Sequence, residues 1–173
     1  VIGRAGYNSY ATFNGRTYKL FRQDRGSYSQ EVCSDGRRAV YASCGIMSAS
    51  IVISGYYDNY SNEDIKNNLH KYSVCLFSEV HRMCSDYIPG STYYGGGYNN
   101  ASVLINTLKN NNMIVHVNGG PFSTAAHFIA LLDSRSDGCV YVANPAGLNR
   151  GWVSAEKVVQ YMRDGQAEVI PKW

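Results

Sequence analysis

From Cys44 to Ile53 the chain reads Cys-Gly-Ile-Met-Ser-Ala-Ser-Ile-Val-Ile, without a charged residue or a proline. An apolar run of this length predicts a buried helix, so the rest of the chain has to wrap around it. The preceding Tyr41-Ala-Ser43 is a loop of small residues, which sets Cys44 at the helix N-terminus. Unpaired N–H groups and the positive end of the macrodipole favour thiolate there, as a cysteine nucleophile needs. Gly45 would let a substrate carbonyl approach the sulfur while the first helical N–H groups face a developing oxyanion. A cysteine in this place also suits packing as a small hydrophobe, so the stretch needs partners elsewhere before it implies chemistry.

A chain of 173 residues supports one core, read as a single α+β domain over 1–173 with 1–17 as an N-terminal extension. The formal charge is +3, and no Lys/Arg block tracks a phosphate backbone, which speaks against nucleic acid as a partner. Cys33, Cys44, Cys75, Cys84 and Cys139 are odd in number, with no CxxC or Cys/His spacing, so neither a full disulfide framework nor a structural zinc site is expected. At least one thiol is free, and a Cys75–Cys84 pairing stays open. No apolar run reaches the length of a membrane span. The start at Val1, without a leader pattern, is read as that of a mature or excised domain.

Residues 1–30 read as a strand or two and a wrapping loop, within which Gln23 is a polar side chain able to donate to an oxyanion. Ser61 predicts the N-cap of a helix with Ile65, Leu69 and Tyr72 on one face and His70 outward. A second helix is expected from about Val74 to Cys84, with Leu76, Val80 and Cys84 as its stripe and His81 on the polar side; neither histidine is given a role. Residues 86–99 hold a proline and three consecutive glycines and are expected to form no regular structure. As a mobile loop, they make Tyr93, Tyr94 and Tyr98 candidates to line a substrate cleft, although a solvated connector fits equally. Asn100 predicts the cap of a third helix, ended by Asn110–Asn112.

The remainder is mostly sheet. Met113–Val117 alternates, a small-residue loop leads through Ala126 to a strand opening at His127, and Asp137-Gly138 turns it into Cys139–Ala143, stopped by Asn144-Pro145. Ser154 caps a last helix to about Arg163, and Ala167–Ile170 makes a final strand. In that hairpin His127 and Asn144 lie at the same end, within reach of a side-chain hydrogen bond. A cysteine at a helix start, a histidine and an orienting Asn are the parts of a thiol acyl-transfer site. His116 competes as base but lies mid-strand, committed to one sheet face.

From about Tyr18 to Trp173 the chain resembles papain-fold cysteine peptidases that cut double-glycine leaders from bacteriocins, especially their secreted bacterial relatives. The motifs are Gln23-Asp24, Ala42-Ser43-Cys44-Gly45, Ala126-His127-Phe128, Tyr141-Val-Ala-Asn144-Pro145 and Trp152-Val-Ser154. The resemblance implies Cys44 as nucleophile, His127 as base and then acid, Asn144 as orienter, and Gln23 with the Cys44 N–H as oxyanion hole. It also implies a papain-like fold, with the Cys helix packed on an antiparallel sheet carrying His and Asn. Asn144 stands where that family usually has Asp, and Ile46-Met47 replaces a common Pro-Thr pair, which leaves the substrate open.

The reaction expected is hydrolysis of a peptide or amide bond through a thioester, without metal or organic cofactor, on a peptide or protein substrate, a cell-wall peptide among the candidates. A monomer, secreted or exported from a bacterium, with a peptidase or toxin role, completes the expectation. The alternatives are a deamidase or peptidoglycan amidase, and a non-catalytic peptide-binding module on the same fold.

Overall fold

A computed structural model describes residues 5–173. Strands β1 (Tyr10–Phe13) and β2 (Arg16–Lys19) form an antiparallel hairpin around Asn14-Gly15, whose two positive φ angles suit a tight hairpin turn. A single helical turn, α1 (Ala39–Ala42), hands the chain through Ser43 to α2 (Cys44–Ser54), and every residue of α2 is buried. Its serines are buried with partners: Ser48 Oγ donates to Phe128 O at 3.2 Å, Ser50 Oγ lies 2.7 Å from Tyr60 Oη, and Ser54 Oγ accepts from Lys19 N at 2.9 Å. These bonds let a polar residue sit in an all-buried helix without an unsatisfied hydroxyl. They also tie the helix to the sheet, to the loop before α3 and to the hairpin.

Helix α3 (Asn62–Lys71) begins where Ser61 offers its backbone N–H to Asp64, and its Ile65 and Leu69 are buried. Helix α4 (Phe77–Tyr87) follows, then β3 (Thr92–Tyr94) and α5 (Ala101–Leu108), whose Asn100 cap accepts from Val103 N at 3.2 Å. Next come β4 (Asn111–Asn118), β5 (Ala126–Ser134), β6 (Cys139–Ala143), β7 (Gly151–Ser154), α6 (Ala155–Tyr161) and β8 (Met162–Pro171). The six-stranded sheet runs β3-β8-β4-β5-β6-β7, every pair antiparallel.

Period-two alternation divides the strands between two cores. Ile114, Phe128, Ala130 and Leu132 pack with α2, α3 and α4, while Met113, Val115, Val117, Ile129 and Leu131 pack with α5 and α6. The sheet is thus covered on both faces, with the Cys44 helix in one layer and α5 and α6 in the other.

Three expectations are corrected, and one open question is closed. Residues 92–94 do form a strand: Thr92, Tyr93 and Tyr94 pair with Val169, Glu168 and Ala167, and the glycines only follow it. Helix α4 starts at Phe77, leaves Leu76 exposed as its N-cap, and buries Val80, Met83 and Cys84. The last strand runs ten residues from Met162, cutting α6 short at Tyr161, and Ser154 makes no side-chain cap bond. All five cysteines are free, so Cys75 and Cys84 are not bridged.

His81 also departs from the surface role expected of it. Its Nδ1 lies 2.9 Å and 3.0 Å from the two carboxyl oxygens of Glu168, a side chain with no solvent exposure. Burial raises the Glu168 carboxyl to about 7, with His81 pulling the other way. An unfolded chain releases that proton near pH ~4.3, so between the two values the unfolded state binds fewer protons and folding weakens as pH rises. Relative to the parent, Glu168→Gln is expected to gain on the order of 3 kcal/mol of stability between pH 4 and pH 8. Thermal denaturation at both pH values measures this, and a difference that does not change with pH contradicts it.

Candidate active site

Cys44 is the first residue of α2, and the backbone amides of Phe128 on β5, of Gly45 and of Cys44 itself act to lower its thiol pKa. Burial does more: Cys44 is 8% exposed, and desolvation raises its thiol to about 11 against these backbone donors. Burial thus works against the resting thiolate that the helix N-terminus favours, because backbone amides do not replace the hydration that a sulfur anion loses.

His127 opens β5 just before the strand's pairing with β6 begins at Ala130 and Ala143, and Asn144 leaves β6 one residue beyond that pair. The structure brings the two side chains together, His127 Nε2 lying 2.7 Å from Asn144 Oδ1. The Asn144 amide has one possible orientation. Its Nδ2 donates to the carbonyls of Phe122 and Leu148, both at 2.8 Å, and its Oδ1 also accepts from Ala146 N at 3.0 Å. Two carbonyls can only accept, so Nδ2 must face them, Oδ1 must face the imidazole, and Nε2 must carry the proton. In the neutral ring Nδ1 is then the free base. Burial lowers the His127 pKa, with the Asn144 bond opposing, so the ring is held neutral. Among the described residues no hydrogen bond joins the Cys44 sulfur to His127.

Gln23 is tied to both sides of this centre. Its backbone N–H donates to Pro145 O at 3.0 Å, and its Nε2 donates to Val40 O at 2.9 Å in α1, leaving a second amide hydrogen and a buried, unpartnered Oε1. At Gly45 the missing side chain makes room for the protein itself: a Cβ would lie 3.0 Å from Val80 Cγ2 and 3.2 Å from Phe128 Cδ2. Ala126 is exposed at the mouth of β5. His116 stacks on Phe128, with ring centres 4.5 Å apart, and Phe77 bridges Phe128 to Tyr93. Tyr94 and Tyr98 pack on each other at the β3 edge, with β8 and β4 between them and His127. The structure does not bring those two tyrosines to Cys44.

Sequence reasoning missed the Phe122 and Leu148 carbonyls, since a backbone acceptor leaves no signature in the residue type. A cavity of about 630 Å³ between Tyr7, Lys19, Ser29 and Lys66 is lined by none of the site residues. Among the described residues no group of three or more His, Cys, Asp or Glu side chains is placed to hold a metal, and no helix is long and apolar enough to cross a membrane.

No family model matches the sequence, and a search of curated proteins gives no significant relative. The fold does have a counterpart. The peptidase domain of Streptococcus ComA, a bi-functional ABC transporter in a quorum-sensing pathway, superposes with a TM-score of 0.53 over 75% of this chain and 91% of that domain, at 16% sequence identity. The chain thus shares its α+β fold with a peptidase domain.

Two outcomes follow from the site's geometry. Asn144→Asp would set a buried carboxylate against two carbonyl oxygens, so a loss of about 3 kcal/mol is expected at pH 7, partly recovered on acidification. Thermal denaturation reads it, and an undiminished melting temperature contradicts the assigned orientation. With the thiol held protonated, alkylation of Cys44 by iodoacetamide is expected to climb with pH through pH 9 without levelling near neutrality. A plateau between pH 5 and 8, read by peptide mass spectrometry, would mean a resting thiolate.

Proposed function

We propose that the chain is a cysteine hydrolase with a papain-like fold that cleaves a peptide or amide bond in a peptide or protein, as a single domain exported from a bacterial cell. Cys44 is its nucleophile, His127 its base and acid, Asn144 its orienter, and Gln23 with the Cys44 N–H its oxyanion hole. One observation carries the reading: an Asn144 amide fixed by two carbonyls leaves His127 Nδ1 as a free base, on the strand whose next residue, Phe128, packs against Gly45 beside Cys44. The fold shared with a peptidase domain supports it.

In this mechanism the Cys44 proton passes to His127 Nδ1 as the sulfur forms a bond to the carbonyl carbon, and the carbonyl oxygen becomes the oxyanion. Gln23 Nε2, through its second hydrogen, and the Cys44 N–H donate to it. Collapse breaks the C–N bond, and the leaving amine takes the proton from His127. Water, deprotonated by the same nitrogen, then hydrolyses the thioester and returns the thiol. Because both groups rest neutral, proton transfer accompanies attack rather than preceding it. Asn144, lacking a charge, holds the imidazole in place and stabilises the imidazolium less than a carboxylate would.

A second reading is favoured by the burial of Cys44 and His127: a non-catalytic module on the same fold that only holds a peptide. Brief treatment with a peptidyl chloromethyl ketone separates them. The hydrolase is expected to give a single rapid adduct on Cys44, slowed at least about a hundredfold in His127→Ala. Slow labelling scattered over several cysteines, or indifferent to His127, would sink the catalytic reading and favour the module.

A further inference from the structure

Among the described residues, the buried side-chain polar atoms that have no hydrogen-bond partner are Gln23 Oε1, Arg25 Nε and Arg150 Nε. All three lie on the two segments that flank the Asn144-Pro145 turn. Arg22 is compensated, its Nε and Nη2 donating to the Asp24 carboxylate at 2.9 Å and 2.8 Å. Among the described residues the Arg25 guanidinium makes no hydrogen bond or ion pair, and it lines a cavity of about 200 Å³ with Asn8, Arg22 and Asp24. Arg150 donates from Nη2 to Leu20 O at 3.1 Å and meets no carboxylate. Three guanidinium groups thus share one carboxylate. Burial and the like charge of Arg22 work against the Arg150 cation, while the Tyr141 hydroxyl and Asp24 favour it.

The cluster is anchored to the candidate catalytic centre. Gln23, between Arg22 and Asp24, donates its N–H to Pro145 O, and the Arg22 guanidinium lies over Gly147, where an added Cβ would meet Arg22 Cζ at 2.6 Å. Gly147 itself closes the turn by donating to Asn144 O at 2.8 Å. Half-desolvated cations without a counter-ion are costly to keep, and a charged acceptor gains more there than in open water. A peptide carboxylate reaching the cavity would bring the missing anion to the Arg25 guanidinium.

We infer that Arg25, backed by Arg22 and Arg150, forms a specificity subsite that takes a carboxylate of the peptide bound at the Cys44 centre. This rests on the proposed function and adds a substrate class, acidic peptides. The carboxylate belongs to an Asp or Glu side chain or to a free C-terminus, since both present the same planar pair of oxygens to a guanidinium.

The test is protection of Cys44 from iodoacetamide, read by peptide mass spectrometry, by pools of hexapeptides in which one position is Glu or Gln. Acetylated, amidated pools carry only the side-chain acid, and Gln pools with a free C-terminus carry only the terminal one. In the wild type one acidic pool is expected to protect at about tenfold lower concentration than the amidated Gln pool. In Arg25→Gln that ratio is expected to fall below about twofold. Equal protection by acidic and neutral pools in the wild type, no protection by any pool, or a preference kept in Arg25→Gln would overturn the subsite. The effect of His127→Ala on Cys44 alkylation without peptide, run alongside, reports on the catalytic reading separately.

Discussion

The orientation of one buried amide, that of Asn144, decides what the centre can do. Its Nδ2 is claimed by the carbonyls of Phe122 and Leu148, so its oxygen faces His127 and the ring's remaining lone pair sits on Nδ1. A carboxylate at this position would bring greater electrostatic support for an imidazolium but nothing to donate to those two carbonyls. The presence of Asn follows from the loop around it, since the turn after β6 and the loop before β5 both bring carbonyls inward.

The same economy of solvent shapes the thiol. Helix α2 is buried along its whole length, so the N-terminus that offers amide donors to Cys44 also withdraws water from it. Donors lower the thiol pKa and desolvation raises it, and desolvation is the larger effect. His127 is pushed in the opposite direction by the same burial. Both shifts favour the neutral thiol and imidazole over the ion pair. Ground-state charge is therefore small, and the charge that forms during attack would meet donors already in place.

Much of the architecture was legible in residue patterns with a short physical range. The all-apolar run gave away α2, the Asn100 cap gave α5, and alternation with Asp137-Gly138 between two strands gave β5 and β6. That hairpin also brought His127 toward Asn144, seventeen residues later. The failures have a longer range or involve the backbone. Strand β3 exists because β8, more than 70 residues on, pairs with it, and nothing in Thr-Tyr-Tyr beside three glycines foretells that. His81 looks like a surface residue on its helix until Glu168, 87 residues away, is set beneath it. The burial of the Cys44 thiol was not legible because local sequence shows the helix dipole but not how much protein covers the sulfur. The unpaired arginines were invisible for a related reason: a lone Arg in a loop looks solvated until its counter-ions are counted.

The central claim is that this centre turns over peptide bonds, and the direct measurement is to incubate the protein with a complex peptide library and identify new termini by mass spectrometry. Wild-type protein is expected to generate a recurring set of new termini that Cys44→Ala, folded to the same melting temperature, does not produce. If wild type and Cys44→Ala give the same termini, or none arise while peptides are retained by both, the centre binds without cutting and the hydrolase account is wrong.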